Sequence, residues 1–293
     1  MARLKYVISI GYFDGLHLGH QALLKSLVRL AFKNGAKPLV ITFGDDFFYS
    51  LGLDIKIIDL EKEKINKIKK FGIMNVDLIK PANSFLKMSG NEFENYIMTK
   101  YDLCGICIGE DFTYGHFAAS GIKELEKLSK KNKIFLHVEK LTNVENKKVS
   151  STLLRNLLKE GNVNEYELYA GYKYTINGRV IHGRSDGSKY GFKTANIDYN
   201  PLKMIPGNGV YITETNVEGK RYRSLTHIGE CPTFENKEIT IETMLLNFSK
   251  VIYEKNIEIT FLKKIRENIK FITPAELRKQ IDKDVERIKE LYD

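Results

Sequence analysis

Apolar and polar residues alternate in two different rhythms along this chain, and the rhythm changes at about Tyr172. In the first part, short apolar runs at Tyr6–Ile10, Pro38–Phe43, Val76–Ile79, Gly105–Gly109 and Ile134–Val138 read as strands. Between them, stretches near Gln21–Asn34, Glu61–Phe71, Gly90–Lys100 and Gly121–Asn132 carry the helical period. Such alternation predicts an α/β fold, a parallel sheet with helices on both faces, and ligands at the carboxyl ends of its strands. In the second part, Lys173–His182, Gly209–Val217, Tyr222–Ile228, Thr240–Leu246 and Asn256–Leu262 are β-like runs separated by turn residues. They predict a small antiparallel barrel or sandwich. A last helix is well marked: Thr273 caps it, Pro274 takes its first position and Glu276 completes a capping box. Its apolar positions Leu277, Ile281, Val285, Ile288 and Leu291 share one face, which is expected to pack on the barrel. We therefore expect two domains, 1–165 and 172–293, with the boundary near 161–172.

Where the first strand stops, the chain reads Ser9-Ile10-Gly11-Tyr12-Phe13-Asp14-Gly15-Leu16-His17-Leu18-Gly19-His20. Strand, glycine turn and helix make a phosphate site, because glycine lets the backbone approach an anion and a helix N-terminus offers free N–H groups. His17 and His20 are three apart, so on a helix they project from one face beside that turn. Two such imidazoles can hydrogen-bond phosphates; as a bare H-x-x-H they lack the carboxylate partner a metal site needs. Further on, Val149-Ser150-Ser151-Thr152 precedes an apolar helix face and Gly161. The hydroxyls suit a helix cap, while Arg155 could fold back towards a phosphate, and spacing leaves both readings open.

Composition narrows this picture. With 293 residues, 43% of them hydrophobic, and six prolines, the chain has material for proper cores and little disorder. The net charge of +9 is spread through both halves and interleaved with acids, as in Glu61-Lys62-Glu63-Lys64, which reads as solvated surface. A nucleic-acid stripe would be clustered, so nucleic acid is not an expected partner. The N-terminal apolar run is too short for a signal peptide, and no stretch reaches the length of a membrane span, so a cytoplasmic protein is expected. Cys104 and Cys107 form a C-x-x-C without a second pair, inside the apolar run Leu103–Ile108, and read as core hydrophobes.

The string G-x-F-D-G-x-H-x-G-H after a strand resembles the nucleotidyltransferase signature of the bifunctional riboflavin kinase/FMN adenylyltransferase family, the prokaryotic FAD synthetases. Gly109-Glu110-Asp111-Phe112-Thr113-Tyr114-Gly115 and Ser150-Ser151-Thr152-x-x-Arg155 are similar to two further segments of that family, in its order. The resemblance implies that His17, His20 and Arg155 are catalytic. It implies that Gly11, Phe13, Asp14, Gly15, Gly19, Ser151 and Thr152 bind ATP, with Asp111 on the ribose and flavin side. Asp14 reads equally well as a buried residue that stabilises the turn. In the second part, Gly178-Arg179-Val180-Ile181-His182-Gly183 and Gly187-x-x-Tyr190-Gly191-Phe192-Lys193-Thr194-Ala195-Asn196 resemble the riboflavin kinase module. Gly229-x-x-Pro232-Thr233-Phe234 and Glu242-x-x-Leu245-Leu246-x-Phe248 follow in order. The resemblance implies that Gly183, Gly187, Lys189 and Gly191 bind ATP, that Thr194 and Asn196 hold Mg²⁺, and that Glu242 is the general base. The implied chemistry takes riboflavin to FMN and FMN to FAD, with ATP as co-substrate.

The chain departs from the family pattern at several positions. Phe43 is followed by Gly44-Asp45-Asp46-Phe47 where the family often has a Pro-His-Pro stretch, and Tyr12 stands where asparagine is frequent. Lys193 replaces a proline, Ser188 an arginine, and Met244 and Asn247 a histidine and an aspartate.

Overall fold

Every apolar run of the first part becomes a strand of one parallel sheet. β1 (Tyr6–Ile10) leads through a turn into α1 (Leu18–Lys33) and β2 (Lys37–Phe43). Next come α2 (Phe47–Ser50), α3 (Glu61–Lys69) and β3 (Asn75–Ile79). α4 (Asn83–Leu86) and α5 (Gly90–Lys100) precede β4 (Leu103–Gly109), and α6 (Ile122–Asn132) precedes β5 (Phe135–Glu139). A hairpin of β6 (Asn143–Val144) and β7 (Lys147–Lys148) then leads to α7 (Ser151–Glu160). These elements come from a computed structural model that describes residues 4–80, 83–182, 194–230 and 239–292. The chain divides into two compact units, Met1–Leu153 and Leu154–Asp293.

In the first unit the strand order is β3-β2-β1-β4-β5, with all neighbours parallel. The winding reverses at β1, so the crevice for a ligand opens at the carboxyl ends of β1 and β4. Side chains alternate across the sheet. Ile8, Ile10, Ile41, Ile106 and Ile108 pack on one face with Phe93, Ile97 and Leu125 of α5 and α6. Val7, Val40 and Cys107 pack on the other with Leu23, Leu24 and Leu27 of α1. Cys107 is buried, which pushes its thiol up to about 12, so it is inert core as its setting in the strand implied.

The second unit begins within α7, continues through α8 (Val163–Ala170) and closes a six-stranded antiparallel barrel. Its strands are β8 (Thr175–Ile181), β9 (Ala195–Tyr199), β10 (Gly209–Val217), β11 (Lys220–Glu230), β12 (Ile239–Leu245) and β13 (Asn256–Arg266). The order is β10-β11-β12-β9-β8-β13. α9 (Pro274–Tyr292) starts with the expected box: Glu276 N–H donates to Thr273 Oγ1, and Thr273 N–H to the Glu276 carboxylate. Its Ile288 packs on the barrel's outer face with Val210, Ile212 and Leu225, as the helix face implied. α8 and β9 are two elements that the apolar pattern did not announce. α8 buries Val163, Tyr166, Tyr169 and Ala170 behind asparagines and glutamates that make the segment look polar.

The barrel interior is partly lined with hydroxyls. Thr213, Thr215, Ser224, Thr226 and Thr243 are all fully buried. Thr213 Oγ1 lies 2.8 Å from Ser224 Oγ and 2.7 Å from Thr226 Oγ1, and Thr226 donates to Thr243 at 3.0 Å. Each hydroxyl donates and accepts, so the row satisfies itself without water.

Gly105 shows how closely the sheet is packed. A Cβ built there would lie 2.2 Å from Phe135 Cζ on the neighbouring strand, so the ring occupies the space of the absent side chain. We predict that Gly105→Ala costs about 1–3 kcal/mol of stability in urea titration. Adding Phe135→Leu should recover part of that loss, and equal losses in the single and double variants would refute the steric reading.

Candidate functional site

Gly11 to Leu16 form the turn at the carboxyl end of β1, and three residues there take positive φ: Phe13 at 56°, Gly15 at 67° and Leu16 at 22°. A left-handed path through two non-glycine residues is unfavourable and persists only where surrounding contacts fix it. Asp14 supplies them. Its buried carboxylate accepts the N–H of Ile58 at 3.0 Å and of Asp59 at 3.0 Å, and its own carbonyl accepts Ser151 Oγ–H at 2.8 Å. Asp14 is thus the buried turn-stabilising aspartate that its sequence context left open, and Ser151 fastens the start of α7 to the same turn.

The turn sets up the two histidines. His17 is the N-cap of α1, with Nδ1 accepting the His20 N–H at 3.3 Å. The rings stack with centroids 3.7 Å apart and planes inclined by 17°, and Phe13 meets His20 edge-on at 5.2 Å. His20 Nδ1 is sealed from solvent with no hydrogen-bond partner among the described residues. Burial holds His17 down to about 4, opposed by nearby Asp111 and reinforced by Lys148. His20 is held well below its usual value by burial first, then by His17 and Lys64. Both imidazoles are therefore neutral at pH 7, and anionic phosphates beside them would draw protons back.

The pair faces a cavity of about 940 Å³. Gly11, Phe13, His17, Gly19, His20, Asp111 and Ser151 all line it, so seven of the expected residues converge on one space. A Cβ at Gly19 would lie 3.2 Å from the His17 ring, which keeps that position close to the imidazole. Asp111 is exposed on the loop after β4 and pairs with Lys148 at 2.9 Å. Thr152 is exposed on the first turn of α7, outside the cavity lining, and Arg155 follows one turn later in that helix. An aromatic wall was not foreseen. Tyr12 packs against Phe48 at 4.4 Å and Phe47 at 5.4 Å, and Phe43 against Phe47 at 4.4 Å. Lys64 is a second surprise: the charge run Glu61–Lys64 reads as solvated, yet this lysine is fully buried. Its position one turn before buried Ile68 was the available signal.

In the second unit, Asn196 and Glu242 are direct cross-strand partners on β9 and β12. Their neighbours Ala195 and Thr243 point into the barrel, so Asn196 and Glu242 share its outer face. Glu242 also pairs in register with His227 of β11, whose imidazole is held below its usual value by burial and then by Arg266. Thr194 stands one residue before β9. Gly183, Gly187, Lys189 and Gly191 lie outside the described residues. Among the described residues no cluster of three His, Cys, Asp or Glu side chains could hold a metal by itself.

Comparison with known proteins follows the same division. Residues 2–153 match a family model described as FAD synthetase, and residues 170–292 match one described as riboflavin kinase. The chain is 34% identical to a Bacillus subtilis (strain 168) protein named bifunctional riboflavin kinase/FMN adenylyltransferase, over 96% of this chain and 90% of that protein. A Buchnera aphidicola (subsp. Schizaphis graminum) protein of the same name is 33% identical, over 97% and 93%. A solved structure from Streptococcus pneumoniae, described as a macrolide-efflux protein, superposes with a TM-score of 0.88 at 26% identity, covering 98% of this chain and 94% of that one.

The neutral His17 predicts a pH dependence of stability. Its folded value lies near 4, below the unfolded value of 6.5, so the unfolded chain binds more protons between the two. The associated stability is fully present above about pH 6.5 and is lost as pH falls towards 4, roughly 3 kcal/mol in all. Urea titrations of wild type and His17→Gln across that range should diverge by this amount, and parallel curves would show that His17 is not held neutral.

Proposed function

Because the chain belongs to the bifunctional riboflavin kinase/FMN adenylyltransferase family, we propose that His17 and His20 carry out adenylyl transfer and that Asn196 and Glu242 serve the kinase reaction. The protein is an ATP-dependent transferase that phosphorylates riboflavin to FMN and adenylylates FMN to FAD. We assign the adenylyltransferase to residues 1–165 and the kinase to residues 172–293. Among the described residues no helix is long and apolar enough to cross a membrane, and we place the enzyme in the cytoplasm.

One observation carries the assignment of the first site: two stacked neutral imidazoles at the head of α1, facing the cavity at the sheet's switch point. An FMN phosphate oxygen attacks the α-phosphorus of ATP, the bond to the β-phosphate bridging oxygen breaks, and pyrophosphate leaves. No proton need move at the attacking oxygen, so catalysis is positioning and charge stabilisation. Neutral imidazoles offer N–H donors to the ATP phosphates, and they gain positive character as negative charge collects on the leaving pyrophosphate. Ser151 holds the start of α7 at the turn, and it is the family resemblance that assigns Thr152 and Arg155 to the triphosphate and Asp111 to the ribose and flavin.

At the second site Glu242 takes the proton of the riboflavin 5′-hydroxyl as that oxygen attacks the γ-phosphorus of ATP, and ADP leaves. Thr194 and Asn196 offer neutral oxygens, which suits Mg²⁺ arriving with the nucleotide because the phosphates supply the missing charge. The metal would neutralise phosphate charge there. Gly183, Gly187, Lys189 and Gly191 are assigned to the ATP phosphates of this site.

The assignment is tested by incubating the protein with ATP and MgCl₂, with riboflavin in one tube and FMN in another, and resolving the flavins chromatographically. His20→Ala should lower FAD formation on the order of 100-fold or more while leaving FMN formation intact. Glu242→Ala should lower FMN formation by a similar factor while sparing FAD formation from FMN. Loss of both activities in either folded variant would refute the two-site assignment.

A further inference from the structure

Lys64 is an ammonium placed where solvent does not reach it. It lies on α3 between exposed Lys62 and half-buried Ile65, yet it is fully buried itself. Its Nζ donates to the carbonyl of Phe43, the last residue of β2, at 2.7 Å. The same ammonium stands 3.9 Å from the centroid of the Tyr12 ring, in the turn after β1. Tyr12, Phe43 and His20 line the cavity and Lys64 does not, so the charge sits behind the cavity wall. Asp14, Asp45, Asp59 and Glu61 surround it electrostatically, and its field reaches His20.

A buried ammonium is expensive, and an apolar side chain of similar length would pack at lower cost if holding α3 were its only task. A cation at this point does two things that methionine cannot. It anchors the end of β2 and the face of Tyr12 to one donor, fixing the turn that aims the histidines. It also offsets the charge of the surrounding carboxylates just behind the wall that anionic phosphates approach.

We propose that Lys64 is a positioning residue of the adenylyl-transfer site, its buried ammonium fixing the β1–α1 turn and biasing His20 and bound phosphate through the cavity wall. The proposal rests on the adenylyltransferase reading of this cavity. Burial lowers Lys64 to about 8, against the pull of the four carboxylates, so it remains mostly cationic at pH 7.

The test compares wild type, Lys64→Met and Lys64→Arg in FMN-to-FAD conversion, with riboflavin phosphorylation by the same samples as the internal control. Lys64→Met should lower kcat for FAD formation about 10- to 100-fold, with KM for ATP changing far less, and leave FMN formation unchanged. Lys64→Arg keeps the charge and should recover most of that loss. In NMR titrations of the intact chain the His20 midpoint should rise in Lys64→Met, because a neighbouring positive charge is gone, and should stay in place in Lys64→Arg. Wild-type kcat in Lys64→Met, or Lys64→Arg as slow as Lys64→Met, overturns the proposal. If Lys64→Met fails to fold, Lys64→Arg decides alone: an unmoved His20 midpoint with near-wild-type kcat supports it, and a slowed enzyme overturns it. Absence of FAD formation in wild type would instead refute the adenylyltransferase reading itself.

Discussion

The first unit depends on one constraint, a left-handed backbone at Phe13, Gly15 and Leu16 held in place by Asp14. The buried carboxylate and the N–H groups of Ile58 and Asp59 satisfy one another, which is worth most where water is excluded. The turn and the segment before α3 therefore stabilise each other, although 44 residues separate them in sequence. Every further feature of the site follows from where that turn leaves the chain. It aims His17 into the capping position of α1, brings His20 against it, and offers the Asp14 carbonyl to Ser151. A phosphate site at a helix head needs no elaborate side chains once the backbone is set.

Electrostatics then decides what the site can do. Two stacked imidazoles repel each other when both are charged, and burial favours their neutral forms. Neutral rings can donate N–H bonds to phosphate oxygens, and they become better cations as negative charge accumulates beside them. In the proposed adenylyl transfer that response grows along the reaction coordinate, which is the differential binding that catalysis requires. The site proposed for the kinase reaction faces a different problem, since the attacking group is a hydroxyl whose proton must go to a base. A carboxylate on the outer face of a barrel strand, with Asn196 opposite it, is suited to that task.

Much of this architecture was legible in the chain. The five apolar runs became the five strands of the parallel sheet, and Thr273, Pro274 and Glu276 marked the last helix. The histidine pair was legible as a shared face, but its stacking was not, because His17 proved to be the cap rather than part of the helix. What escaped reading has a common cause: polar residues used as interior. α8 hides its buried tyrosines among asparagines and glutamates. The barrel buries a self-satisfied row of hydroxyls at positions where alternation would lead one to expect apolar side chains. Lys64 sits in a run of alternating charge whose inward member only the register with Ile68 reveals. Pattern counts residue types, whereas burial depends on whether each polar group finds a partner, and partners far along the chain leave no local trace.

The departures from the family pattern are themselves connected in space. Tyr12 and the segment from Gly44 to Phe48 are distant in sequence, yet the Tyr12 ring is covered by Phe47 and Phe48. Asp45, which stands in the same replaced segment, accepts the Glu61 N–H at 2.7 Å and so caps the start of α3. That helix in turn presents Lys64 to the other face of the wall, against Tyr12 and the Phe43 carbonyl. A tyrosine at position 12 needs an aromatic or cationic neighbour to cover it, and the altered segment supplies both the aromatics and the cap for the cation's helix. Two stretches that read along the sequence as unrelated departures therefore meet in one wall, each in contact with the other.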